Sequence, residues 1–201
     1  FSAQCGTGVA TLVKTSFAGV AGKARDTSSA VAMVVSVAAQ RIRHLSGPKV
    51  AKPSAGGVVY WMSRDQRVQD NWALLHASSL ASKLSVGLSV VFALVPTFHE
   101  ATIRQYGFML SGLAEVESDL LSLGIPFTVL SGQPTVELPA FVKRHDVSAV
   151  VSDFSPLRTS RSWKHEVGAA LPDVPFYEVD AHNIVPAWVA SDKQEVGART
   201  M

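Results

Sequence analysis

Two habits alternate along the apolar positions of this chain from Gly57 onward. Short continuous runs appear at Val58–Met62, 86–95, 125–130, 149–152 and Phe176–Val179. They are too short for stable helices and apolar on both faces, so they predict strands covered on both sides. Between them, apolar residues recur every three or four positions. Residues 70–84 carry Ala73, Ala77, Leu80, Ala81 and Leu84 on one helical face. Residues 102–123 carry Ile103, Tyr106, Leu110, Leu113, Val116, Leu120 and Leu121. Shorter helices are predicted over 135–145 and 158–171. Asp70 is the expected cap of the first helix, and Gly124 the stop of the second.

Strict alternation of strand and helix predicts a Rossmann-like α/β fold: a five-stranded parallel sheet with helices on both faces and right-handed crossovers. The expected strand order is 3-2-1-4-5, with the switch point between the first and fourth strands. Ligands of such sheets sit at the carboxyl ends of the strands, beside that switch point. Two loops converge there. The candidate lining is Met62, Ser63, Arg64 and Asp65 after the first strand, and Asp153, Phe154, Ser155 and Arg158 after the fourth. Guanidinium forks and a stackable ring suit an anionic or planar heteroaromatic ligand. A purely structural alternative has Arg64 paired with Asp153 and Asp65 capping a turn. Asp180-Ala181-His182-Asn183 follows the fifth strand, where it either reaches the same pocket or caps its own turn. No glycine loop of the G-x-G-x-x-G or P-loop type occurs, and no G-x-S-x-G elbow. The four tryptophans fall on or beside apolar positions, where core packing is the default.

Composition adds an extension to this picture. The 201 residues suit one α/β domain plus a tail. No apolar run is long and uninterrupted enough to suggest a membrane span. The single cysteine, Cys5, excludes an internal disulfide, and the six histidines have no ligand-like spacing. Charge is uneven. Residues 1–53 hold seven Lys/Arg and one acid, for +6, whereas residues 54–201 hold eleven and fifteen, for −4. The mildly acidic globular part does not read as a nucleic-acid surface. Residues 1–30 have the composition of an organellar transit peptide or a disordered tail. A helix is expected over 30–43 and a linker over 47–57. The chain therefore divides into an extension (1–53), a domain (54–181) and an exit segment (182–201).

Four strings carry a family resemblance: YWMSRDQRVQDNWALLHA (60–77), RQYGFMLSGL (104–113), VSDFSPLR (151–158) and VDAHNIVPAWVASDKQE (179–195). Together they resemble the N-terminal half of class II cyclobutane-pyrimidine-dimer photolyases, over about residues 41–195. The resemblance implies an α/β antenna domain that binds a pigment such as 8-hydroxy-5-deazaflavin. It also implies a following helical domain, absent from this sequence, that holds FAD, binds DNA with pyrimidine dimers and splits them under light. No FAD-binding, dimer-binding or electron-relay position of that domain has a counterpart here. The surface that would pack on it is expected around Ile184 and Val189. The family implies a nuclear or cytoplasmic protein, or an organellar one if residues 1–40 are a transit peptide. Two other readings stay open: a stand-alone small-ligand or protein-interaction module, and a nucleotide-binding domain of the universal-stress type, against which the missing glycine loop counts.

Overall fold

The structure is a computed structural model and describes residues 36–191 and 193. A six-stranded sheet forms its centre. Its strands are β1 (Ile42–Ser46), β2 (Val58–Met62), β3 (Leu88–Leu94), β4 (Phe127–Ser131), β5 (Ala149–Asp153) and β6 (Phe176–Val179), in the order β1-β6-β5-β2-β3-β4. The helices are α1 (Trp72–Leu84), α2 (Ile103–Ser122), α3 (Pro134–His145), α4 (Arg158–Ala170) and a single turn, α5 (Ala187–Ala190). β2 through β6 are parallel to one another, and they keep the order expected from the sequence. No described helix is long and apolar enough to cross a membrane.

The central strand explains the two-layer core. Every residue of β2 is buried. Val58, Tyr60 and Met62 point to the layer of α1 and α2. Val59 and Trp61 point to the layer of Leu138, Phe141, Val142, Val167 and Leu171 from α3, α4 and the residue after it. Alternation across the pleat is what lets one five-residue run serve both layers. Gly57 starts it. With φ +65°, and with an added Cβ only 2.1 Å from the Gly87 carbonyl oxygen, this position excludes any side chain. Val58 N then donates to Gly87 O at 2.8 Å, and Gly57 O accepts from Ser148 N at 2.7 Å, which sets the register on both sides of β2.

The sixth strand is a departure from expectation. Residues 39–41 form one 3₁₀ turn and β1 follows at once, where a helix over 30–43 was expected and no strand before residue 58; the part of that helix before residue 36 lies outside the described residues. β1 runs antiparallel to β6 at the sheet edge. Arg43 lies opposite Glu178, and its guanidinium donates to Glu178 Oε2 at 2.5 Å. This strand is hidden in sequence because its alternation covers only five residues and depends on a partner more than 130 positions away.

Two further corrections concern helices. Asn71, not Asp70, caps α1: Asn71 Oδ1 accepts from Leu74 N at 2.9 Å, while Asp70 sits at φ 53°, outside helical geometry. α2 buries only Leu113, Val116 and Leu120. Ile103 and Leu121, assigned to its inner face by period, are 85 % and 73 % exposed; the N-terminal half of the helix, through Gln105, Tyr106 and Met109, borders a cavity rather than the sheet.

Asn71 is fully buried, and its Nδ2 also donates to Tyr60 Oη and to the carbonyls of Asp65 and Arg67. Asn71→Ala is therefore expected to cost about 2–4 kcal/mol in urea unfolding, since it removes a cap and strands several buried groups. Asp70→Gly, at a positive φ, is expected to stay within about 0.5 kcal/mol of the parent.

Candidate functional site

The carboxyl end of the sheet is organised by one carboxylate. Asp153 closes β5 with no solvent exposure. Its Oδ2 accepts from the backbone N–H groups of Ser63 at 2.9 Å, Arg64 at 2.9 Å and Asp65 at 3.3 Å, and from the Ser63 hydroxyl at 3.3 Å. Its Oδ1 accepts from Tyr60 Oη at 2.6 Å. Burial, the Asp153 charge and the bond to Asp153 together push the Tyr60 phenol well above its ordinary pKa, against the opposing bond from Asn71. The loop after β2 is thus wrapped around the end of β5 by hydrogen bonds to an anion, a concave array of N–H groups of the kind that binds free anions elsewhere. Here the protein supplies the anion itself.

Behind Asp153 lies a second buried charge. Lys164 of α4 donates to the Asp153 carbonyl at 2.7 Å and to Glu178 Oε1. Burial pushes the Lys164 ammonium down, opposed by Glu178. Lys164 ties α4 to the ends of β5 and β6 and so fixes one wall of the cavity.

That cavity holds about 670 Å³ and opens above β2 and β3. Its floor is Trp61, Met62 and Phe92. One wall is α2, through Gln105, Tyr106 and Met109. The other is the loop after β5 and α4, through Ser155, Ser160 and Trp163. Phe98 bridges the walls, its ring 5.8 Å from that of Trp163, and His99 Nε2 lies 3.0 Å from Thr159 Oγ1. The volume suits one small organic ligand, and a mostly apolar lining with a few polar groups at the rim is what such sites present.

Of the eight candidate residues, Met62, Ser63, Arg64 and Ser155 line this cavity. Four lie off it. Asp153 is sealed beneath the loop. Asp65 is buried beside it, with Oδ1 3.0 Å from His182 Nε2 and 3.8 Å from Arg67 Nε. Burial pushes Asp65 up; His182 counters, Asp153 adds to the rise, and Arg67 and Arg64 pull back. Phe154 turns its ring edge-on to Trp188, at 5.5 Å. Arg158 opens α4 and is not among the lining residues. The expected structural alternative also takes a different form: Asp153 holds the Arg64 backbone N–H, and the Arg64 guanidinium donates to the Phe154 carbonyl at 3.3 Å. The lining residues that sequence reasoning missed include Trp61 of β2, Phe92 of β3, Phe98 of the loop after it, Tyr106 of α2 and Trp163 of α4. Tyr106 and Trp163 read as ordinary core positions, and only the overhang of α2 turns them toward a cavity.

The segment after β6 is anchored beside the site. Asp180 is fully buried and accepts from the backbone N–H groups of His182, Asn183 and Ala187 and from Asn183 Nδ2. Arg41 donates to the carbonyls of Asp180, Asn183 and Ile184, with its guanidinium 3.8 Å from the centre of the Trp72 ring. The turn expected around Asp180 and Asn183 is therefore made, and His182 reaches Asp65 from it.

The family model for DNA photolyase matches residues 58–201. The chain belongs to the DNA photolyase family. It is 55 % identical over 163 residues to the deoxyribodipyrimidine photo-lyase of Potorous tridactylus, covering 81 % of this chain and 31 % of the relative. The Arabidopsis thaliana photo-lyase is 45 % identical over 85 % of this chain and 35 % of its own length, and that of Methanothermobacter thermautotrophicus 37 % over 81 % and 36 %. The chain thus spans about a third of the length of these relatives. In fold it is similar to a Synechocystis cryptochrome, with a TM-score of 0.51 at 16 % identity, over 57 % of this chain and 25 % of the other. Photolyases bind DNA carrying pyrimidine dimers, and the family binds a flavin and an antenna chromophore.

Burial pushes Asp180 up, but its hydrogen bonds from Asn183, Ala187 and His182 outweigh this and hold it below the ordinary carboxylate value. A depressed folded-state pKa gives stability that is present above the unfolded value of about 4 and lost as pH falls through the folded one. Asp180→Asn is therefore expected to lower stability at pH 7, and its deficit against the parent should shrink as urea unfolding is repeated at successively lower pH below about 4.

Proposed function

We propose that this chain is the antenna domain of a class II photolyase, and that the cavity above β2 and β3 receives a planar pigment of the 8-hydroxy-5-deazaflavin type. The observation that carries the reading is the 670 Å³ cavity at the carboxyl ends of the strands, with aromatic rings on its floor and walls and Arg64 at its edge. Its residues fit such a group. Trp61, Tyr106 and Trp163 offer faces and edges to a flat heteroaromatic ring, while Arg64, Gln66 and Gln105 supply hydrogen bonds at the periphery. When bound, the pigment would absorb light and pass the energy to a flavin. The work of the chain's own residues is to bind it, orient it and keep water from its ring.

In this reading, light-driven repair of pyrimidine dimers in DNA, and the FAD that performs it, belong to the part of the family's length beyond the third matched here. Ile184, Val185 and Val189, which are 94 %, 52 % and 50 % exposed, would pack on that helical part. The exit segment that carries them is pinned by Arg41 and Asp180, so its direction is set by this domain.

Titration of the purified chain with 8-hydroxy-5-deazaflavin, followed by pigment fluorescence, tests the reading. Saturable binding is expected, with Trp163→Ala weakening it at least about tenfold and Phe154→Ala, which faces Trp188, changing it less than about twofold. Absence of binding, or equal losses in both variants, would overturn the assignment to this cavity.

A further inference from the structure

A further cleft of about 340 Å³ lies between β1, β6 and α4. The spacing of α4 builds it. Arg161, Lys164, His165 and Gly168 fall at i, i+3, i+4 and i+7, so three basic side chains share one stripe of the helix. Arg43 joins them from β1. The acid among the lining residues, Glu178, is 2 % exposed and already committed: Oε1 to Lys164, Oε2 to Arg43. Arg161 and His165 are exposed and take part in no side-chain hydrogen bond or ion pair described here. With His165 neutral, Arg43, Arg161 and Lys164 against Glu178 leave a formal +2 in a domain region that otherwise tends to negative charge.

The cleft also holds a polar group without a partner. Ser46 Oγ lines it, is shielded from solvent and makes no hydrogen bond. Gly168 gives it room: a Cβ there would stand 2.6 Å from Ser46 Oγ.

We propose that this cleft is a second ligand site, taking a small phosphate-bearing anion through the guanidinium groups of Arg161 and Arg43 and the ring of His165. Guanidinium forks match phosphate oxygens two at a time. The site is a small concavity and not an extended basic stripe, and residues 54–201 carry −4 overall, so a compact anion fits it better than a nucleic-acid backbone.

Calorimetric titration of the full chain with inorganic pyrophosphate at moderate salt tests this. One saturable site is expected. Arg161→Gln combined with His165→Gln should weaken it at least about tenfold without altering the melting curve, because both residues are exposed. Arg144→Gln, at the exposed end of α3, should leave it unchanged. No saturable binding, or equal losses in the two sets, would overturn the site. So would a short DNA duplex that binds through Arg161 and His165 where pyrophosphate does not.

Discussion

The Asp153 carboxylate is the constraint on which the rest of the functional end depends. It lies at the end of a buried strand, without solvent, yet both of its oxygens have donors: three backbone N–H groups and a serine hydroxyl on Oδ2, and the Tyr60 phenol on Oδ1. A buried charge is tolerable only when so satisfied. The same bonds relieve the opposite problem. The loop after β2 must turn sharply to enter α1, and Asp153 accepts N–H groups the turn would otherwise leave unpaired. Asn71 completes the arrangement from the other side by joining Tyr60, the loop carbonyls and the first turn of α1. Strand, loop and helix therefore form one hydrogen-bonded unit.

That unit determines what kind of site the sheet can present. With the loop's N–H groups turned inward onto Asp153, the concave array is not free to cradle a phosphate, which agrees with the missing glycine loop. The ligand space lies instead to the side, above β2 and β3, where α2 stands off the sheet. Its lining is mostly aromatic and apolar, with a few polar side chains that include the buried Ser155 and Lys164. Lys164 links this space to the basic cleft beyond α4, because the same ammonium lines both and holds Asp153 and Glu178 at once.

The fold was legible to the extent that burial was continuous. Strands buried on both faces, such as β2 and β5, leave unbroken apolar runs, and with the helical periods between the runs they made β2 to β6 and their order readable from the sequence. β1 was not legible, because an edge strand of five residues with two basic side chains leaves almost no period. The candidate site was legible as a place but not residue by residue. Position at a strand end identified Met62, Ser63, Arg64 and Ser155, which do line the cavity. It could not distinguish them from Asp153 and Asp65, which occupy equivalent positions but are drawn inward by hydrogen bonds. Nor could it foresee that half of α2 leaves its apolar positions unburied, since helical period reports which residues share a face and not what that face meets. The cap assigned to Asp70 failed by one residue for a related reason: both Asp and Asn cap well, and only the bonds of Asn71 to distant groups decide between them.

The role of Asp153 can be measured directly through amide hydrogen exchange in Asp153→Asn, which keeps the shape of the side chain and removes its charge. Exchange at Ser63, Arg64 and Asp65 is expected to accelerate at least about tenfold, as charge-assisted bonds become neutral ones, while the amides of β3 and β4 keep their protection. Unchanged exchange at those three amides would contradict the view that this carboxylate holds the loop and, through it, the shape of the site.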